Sequence, residues 1–356
     1  MSVRRSQIFT DSYFYINGLL PEECKGKLQI KFEGEEGYDA GGVKREWFST
    51  LSREMLYPGY ALFAPCADRT TYHPNPSSYV NQEHLSYFRF TGRIIAMAIY
   101  NEQPLDCHFT RSFYKHILGI PITYHDIESI DPSYYKNLKW MLTNSIGDVL
   151  FHTFTHEFDE FGKTKEIELK PNGKNIPVTD ENKAEYVRLV TELKMTKSIE
   201  KQLEQFLKAF YDIIPRKLIQ IFNEQELELL ISGLPDIDIQ DLKNNTIYGH
   251  GYTKDSVHIK WFWNVVESFG KDDKALLLQF VTGTSKVPLG GFSQLIGANG
   301  ENQLFCIQKA NVGSQRLPTA HTCFNQLDLP EYDTEDVLRE RLLVALRFGS
   351  EGFGFV

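Results

Sequence analysis

The stretch NEQELELLISGLPD (residues 223–236) divides the chain into two halves of different character. Asn223 opens a helix, and Glu226 three residues later completes a capping box, in which two side chains satisfy backbone N–H groups that a first helical turn leaves open. Gly233 stands where a helix ends, at the position that favours a residue without a Cβ. Pro235 follows two residues on, and a Gly and a Pro so close together punctuate a linker. The spacing predicts one unit over 1–232, a hinge at 233–236 and a second unit over 237–356.

Upstream, the apolar residues recur with helical period. Val43, Trp47, Phe48, Leu51 and Leu56 mark one buried face over Gly42–Leu56, and Leu85, Phe88, Ile95 and Ile99 mark another over 83–100, with Asn81 as its N-cap. A short helix follows Phe109, a further one opens at Asp131-Pro132, where Pro suits a first turn, and Thr179-Asp180-Glu181 caps a helix that Ile199–Ile213 continues. Downstream, two helices near 256–268 and 271–281 give way to a segment broken by Gly283, Pro288, Gly290, Gly291, Gly297 and Gly300. Residues 304–307 and the stretch around Thr322-Cys323-Phe324 read as strands, and a helix closes the chain over 334–348. The fold class expected is α+β, a mostly helical large lobe and a smaller α/β lobe.

At 356 residues, with 42% apolar and 24% charged side chains, the chain can bury a core without disulfides or metals. Its net charge of −9, with no Lys/Arg run longer than a pair, excludes a nucleic-acid backbone as partner. Ile94–Tyr100 is its longest apolar run, far short of the ~20 residues that span a bilayer, so no membrane partner is expected. No secretory signal follows Met1, and the start reads as the cut edge of a domain from a longer chain. The five cysteines are odd in number and form no CxxC pair, which argues against a zinc site or a disulfide framework and for a reducing compartment, cytoplasmic and/or nuclear. His152 and His156 have i, i+4 spacing but lack the Glu of a zinc-protease helix, and the run 151–158 alternates like a strand. The glycines at 283–300 match no nucleotide-binding pattern, so neither metal nor cofactor is expected.

Cys323 is the leading candidate for chemistry. It lies in a polar stretch behind Pro318, with His321 two residues earlier and on the same face if the segment is extended. A neighbouring imidazole lowers a thiol's pKa and raises the share of reactive thiolate. A buried structural cysteine on a strand is the commoner fate of a thiol, and the residues alone leave both readings open. The acidic segment Phe32–Gly42 is the second candidate. Glu35 and Asp39, with Glu46 on the helix that follows, suit a general base or an electrostatic partner for an amine. They equally suit a solvated turn that complements a helix N-terminus.

Four separated segments, LPTAHTCFNQLDLPEY (317–332), FEGEEGYDAGG (32–42), LLQFVTGTSKVPLGGF (277–292) and GFGFV (352–356), resemble the HECT family of ubiquitin-protein ligases. The resemblance runs from Val3 to Val356. Within the family the chain is most similar to the very large Mule and Tom type, on VRR (3–5), FEGEEG, FTRSFYKHILG (109–119) and ELELLISGLP (226–235). The resemblance implies a bilobal catalytic domain whose partners are ubiquitin, a ubiquitin-conjugating enzyme and protein substrates with acceptor lysines. Cys323 would accept ubiquitin as a thioester and pass it to a lysine, flanked by His321 and Thr322. The resemblance also places Glu35, Asp39 and Glu46 at lysine-presenting positions, Phe353 in a terminal tail that docks during ligation, and the hinge at Gly233-Leu234-Pro235. It places a conjugating-enzyme groove on Tyr134, Leu138, Leu150 and Tyr186, within a subdomain at about 131–195. Tyr60, Asn81 and Phe161 match a non-covalent ubiquitin patch, although Ser78–Asn81 is one residue shorter than the family pattern. Two rivals share the thiol: a Cys-His hydrolase acting on ubiquitin conjugates, which needs a third group to orient its base and an oxyanion hole, and a non-catalytic scaffold in which Cys323 is structural.

Overall fold

Helix α1 (Ile8–Asn17), α2 (Gly42–Met55), α3 (His84–Tyr100) and α4 (Arg111–Leu118) lay down the large lobe. Its central helix α3 buries ten of its residues, among them Phe88, Ile94 and Ile95, because it is enclosed on most sides. The computed structural model that shows this describes residues 1–35, 42–66, 70–147, 150–160, 163–233, 235–288, 290–297 and 301–348, with Cys323 described by its backbone alone.

Next come α5 (Pro132–Thr143), the hairpin β1 (Thr155–Glu160) and β2 (Lys163–Glu168), α6 (Lys183–Met195), α7 (Glu200–Tyr211) and α8 (Glu224–Ser232). α7 packs along α3 through Leu203, Phe206 and Phe210. The two helices meet at Gly92, where a Cβ would stand 2.3 Å from the Phe206 carbonyl oxygen. That oxygen belongs to helix backbone and has nowhere to go. Gly92→Ala is therefore expected to cost roughly 1–3 kcal/mol or more by overpacking, read as a drop in the urea midpoint.

Among the described residues, buried side chains fall into three clusters. One spans Val3 to Ile231 and holds Trp47, Phe48 and Phe206. A second lies within Ile127–Met195 and gathers Leu138, Phe154 and Tyr186 between α5, α6 and the hairpin. The third runs from Leu242 to Leu346. The small lobe packs α9 (Val257–Glu267), α10 (Lys271–Thr282) and α11 (Glu335–Phe348) against a four-stranded sheet, with a further short helix at Ile239–Asn244. Its strand order is β3 (Thr246–Gly249), β4 (Phe305–Lys309), β6 (Gln326–Leu329), β5 (Thr319–His321), parallel except for β5. Leu327, Leu329 and Ala320 face the helices while Gln326 and Asp328 alternate outward, as a half-buried sheet requires. The fold is α+β and bilobal.

Several local expectations meet their structure. Asp131 caps α5 by accepting from the Tyr134 N–H at 3.0 Å, and Asn223 and Glu226 cap α8 reciprocally at 2.9 Å each. Others are corrected. Asn81 does not cap α3 itself; its Oδ1 accepts from the Glu83 N–H and its Nδ2 donates to the Tyr60 carbonyl. Asn182, not Thr179–Glu181, precedes α6, and Asp180 instead accepts from Ser145, the Ile146 N–H and Lys183. Nor does 199–213 continue that helix: a 3-10 turn at Lys197–Ile199 separates α6 from α7, and the two feed different cores. The segment Thr322–Phe324 is no strand but a 3-10 turn between β5 and β6.

Candidate active site

Asn325 makes that turn. Its backbone sits in the left-handed region at φ 48°, which asparagine tolerates better than other residues with a Cβ. Asn325 is 2% exposed; its side-chain Nδ2 donates to the carbonyls of Gln303 at 2.6 Å and Ile296 at 3.3 Å, while its backbone carbonyl accepts from the Cys306 N–H at 2.9 Å. The chain thus leaves β5 at His321, makes one tight turn through Cys323, and is pinned before it enters β6. His321 and Cys323 consequently do not alternate along one strand, as an extended segment would have had them. Asn325→Ala is expected to lower stability by about 1–3 kcal/mol, because it takes a buried donor from two part-buried carbonyls and gives the left-handed position to a residue that strains it. Thermal denaturation checks this.

His321 Nε2 lies 3.1 Å from Asp328 Oδ2. The hydrogen bond to Asp328 raises the imidazole above its ordinary pKa, against the opposing effect of burial. Burial acts to raise Asp328, but its bonds with His321 and Gln326 leave it below the usual carboxylate value. The pair's contribution to stability is therefore lost as pH rises through the raised His321 value and as pH falls through the lowered Asp328 value.

The turn faces the segment that holds the second core. Lys136 Nζ on α5 stands 4.6 Å from the centre of the Phe324 ring, and Glu128 and Lys139 act electrostatically on His321. A cleft of about 300 Å³ opens beside them, walled by Thr322 from one side and by Glu128, His125, Arg111 and Glu224 from the other. Arg111 and Glu224 are paired at 2.5 Å, and deeper in the cleft Lys115 and Asp126 are paired at 2.7 Å.

The lobes are joined at Glu228, a carboxylate on α8 that is 5% exposed. Its Oε1 accepts from the Ser285 N–H at 2.9 Å and from the hydroxyls of Ser285 and Thr284 at 3.0 Å, with His108 Nδ1 at 3.1 Å. Its Oε2 accepts from Gln279 Nε2 at 2.8 Å. Gln279, Thr284 and Ser285 come from the segment QFVTGTS (279–285) of the small lobe. Five residues after Glu228, Gly233 has φ 78° and ψ 174°, a conformation open essentially to glycine alone, and a Cβ there would stand 2.8 Å from Pro104. Leu234 lies outside the described residues, and Pro235 follows it.

Elsewhere the structure groups the candidates differently. Arg5 holds Glu35 and Glu46 together, donating to Glu46 at 2.7 Å and in a fork to Glu35, and this hydrogen bonding lowers the Glu35 pKa. Both carboxylates are thus already engaged by a cation. Asp39 and Phe353, with Phe161 of the ubiquitin patch, lie outside the described residues. Tyr60 and Asn81 are adjacent through the Asn81–Tyr60 hydrogen bond at 2.9 Å, with Tyr60 stacked on Phe9. Of the four groove candidates, Leu138 and Tyr186 are core residues, 2% and 5% exposed, so Tyr134 and Leu150 hold what surface the set can offer. Trp140, on the same helix as Tyr134, and Phe151, next to Leu150 in the chain, are exposed, and the sequence did not single them out. The residues that sequence reasoning missed at the turn are Asn325 and Asp328. An Asn two residues past a turn's centre is a readable sign of left-handed backbone, whereas Asp328 becomes a partner of His321 only once the strand register is known.

Among the described residues no group of His, Cys, Asp and Glu is arranged to hold a metal ion, and no helix is long and apolar enough to cross a membrane.

The small lobe of this two-lobed α+β domain carries Cys323 on the turn from its edge strand β5 into β6, and comparison with known proteins makes the class specific. A model of the family described as HECT-domain (ubiquitin-transferase) matches residues 49–356. The chain belongs to this family. It is similar to E3 ubiquitin-protein ligase TOM1-like of Neurospora crassa, 55% identical over 100% of this chain and 9% of that protein. It is likewise similar to E3 ubiquitin-protein ligase HUWE1 of Mus musculus, 55% identical over 99% of this chain and 8% of that protein. E3 ubiquitin-protein ligase TOM1 of Saccharomyces cerevisiae is 52% identical over 99% of this chain and 11% of its own length. The chain therefore spans about a tenth of the length of these relatives.

Proposed function

We propose that this domain accepts ubiquitin from a conjugating enzyme as a thioester on Cys323 and transfers it to a lysine of a protein substrate. The observation that carries this reading is the family match over 49–356, which takes in the pinned turn at Thr322–Phe324. In the first step the Cys323 thiolate attacks the carbonyl carbon of the conjugating enzyme's ubiquitin thioester, and the enzyme's sulfur leaves. In the second a lysine amine attacks the new thioester, the Cys323 sulfur leaves, and an isopeptide bond remains. A thioester exchange is nearly balanced in energy, so the domain's contribution is proximity, worth up to ~7–11 kcal/mol for well-held groups.

On this reading the α5–α6 segment at about 131–195 receives the conjugating enzyme, with Tyr134 and Leu150 flanked by Trp140 and by Phe151, which is 90% exposed. Exposed aromatics of this kind make interface anchors. The units 1–232 and 237–356 would turn about Gly233-Leu234-Pro235, and Tyr60 with Asn81 and Phe161 would hold a second ubiquitin. Glu35, Asp39 and Glu46 would present the lysine, with Arg5 as the cation that lysine must displace, and Phe353 would dock the tail for ligation. We place the domain in the cytoplasm, the nucleus or both, where thiols stay reduced. The test is to mix it with ubiquitin-charged conjugating enzyme and look for an adduct that reductant removes. If none forms, while a ubiquitin-derived electrophile labels Cys323, the activity is hydrolytic instead.

A further inference from the structure

We propose that Asp328 is a positioning residue for the chemistry at Cys323, holding His321 so that the cationic end of the pair lies toward the cysteine turn. This rests on the assignment of Cys323 as the thioester-forming residue and adds the group that sets its ionisation.

The register carries the argument. On the antiparallel strands β5 and β6, Gln326 pairs with His321 and Asp328 pairs with Thr319. The imidazole therefore springs from the pair beside the turn, and the carboxylate from the next pair on the same face, roughly 7 Å farther from it. Asp328 Oδ2 meets His321 Nε2 at 3.1 Å, and Oδ1 accepts from Gln326 Nε2 at 2.6 Å, so both carboxylate oxygens are engaged and the side chain is held. An ionised carboxylate only accepts, which places a proton on Nε2. The charged groups that act on His321 come from three elements. Asp328 on β6 favours its cation most, Glu128 in the 3-10 turn Tyr124–Ser129 adds to this, and Lys139 on α5 opposes it. His250 acts on Asp328 in turn.

An imidazolium near a thiol favours its thiolate. The thiol proton passes to solvent, and the sulfur then bonds the ubiquitin carbonyl carbon as the conjugating enzyme's sulfur departs as thiolate. Without Asp328 the imidazole loses its cationic form at lower pH, and the turn that carries Cys323 loses the positive charge two residues before it.

Iodoacetamide alkylation of Cys323 as a function of pH, located by peptide mass, reads this directly, because Cys24, Cys66, Cys107 and Cys306 are buried. In D328N the alkylation midpoint moves to higher pH. Ubiquitin loading at pH 7 slows about tenfold, less than the ~10²–10⁴ of a fully engaged acid–base group because His321 is half exposed. D328E recovers most of the rate. In an H321A background, D328N changes neither readout. Superimposable alkylation profiles for wild type and D328N overturn the proposal, as does an equal loss in the H321A background. Loading that persists in Cys323→Ala overturns the cysteine assignment instead, a separate failure.

Discussion

Cys323→Ala is expected to leave the domain folded and to abolish its reductant-sensitive ubiquitin adduct. Burial pushes the thiols of Cys24, Cys107 and Cys306 upward, Cys107 the farthest, so at neutral pH they remain protonated. A protonated thiol is a poor nucleophile toward a thioester, and a buried one is out of reach of a partner protein. Cys66 is buried as well. Cys323 lies on the turn Thr322–Phe324 between two strands of the small lobe, two residues after a histidine whose pKa the hydrogen bond to Asp328 raises. The turn's shape does not depend on the sulfur, since the Asn325 side chain and the Asn325–Cys306 backbone bond hold it. Stability should therefore change by about 1 kcal/mol or less. Non-reducing electrophoresis of a loading reaction, beside a urea denaturation curve, checks both halves. An adduct that survives in the folded variant removes Cys323 from the first step, and substitution of Cys306 or Cys107 should leave the adduct in place.

Much of the architecture was legible because it depends on local signals. The capping box of Asn223 and Glu226 and the glycine at 233 act within a few residues, and so do the N-cap at Asp131 and the apolar stripes of α2 and α3. The misreadings share a different origin. Apolar spacing runs on across 196–199 with no strong breaker, so one helix was expected where two cores pull the chain apart. Around Thr322–Phe324 the pattern suits a strand, but the ladder stops because Asn325 turns left-handed to reach the Gln303 and Ile296 carbonyls. Of the site, the cysteine and its histidine could be picked out by residue type. Arg5 between Glu35 and Glu46 could not, nor could Asp328 beside His321, because charge on a surface segment says nothing about which distant partner meets it. Glu228 was the least legible of all. A glutamate inside a helix reads as solvated, and only the tertiary fold brings Gln279, Thr284 and Ser285 around it.

Glu228→Ala should have the largest effect on stability of any single change at the lobe junction. The substitution removes the acceptor of the Ser285 N–H and of the Ser285 and Thr284 hydroxyls, and the nearer of two acceptors of Gln279 Nε2, all on buried residues. Removing one side of a buried, charge-assisted cluster costs about 3–5 kcal/mol, because the groups left behind keep their desolvation penalty. Glu228→Gln retains an acceptor oxygen while losing the charge, so about 1–3 kcal/mol is expected. The pH dependence has a definite sign. Burial alone would raise the Glu228 pKa, yet the bonds from His108, Ser285 and Gln279 outweigh it and hold the carboxyl below its ordinary value. A carboxylate whose pKa is depressed by folding contributes stability above its unfolded value of ~4.3, and that contribution is lost as pH falls through the folded value. Wild type should thus lose stability below about pH 4.5 more steeply than Glu228→Gln, in which this group no longer titrates. Because the cluster ties α8 of the large lobe to the 279–285 segment of the small one, the loss should also be local. Amide exchange should rise first at Ser285, whose N–H gives up its only acceptor in this cluster, before the core of either lobe opens. Equal denaturation midpoints for wild type and Glu228→Ala at pH 7, or parallel acid profiles for wild type and Glu228→Gln, would show that the carboxylate is not what holds the two lobes in this arrangement.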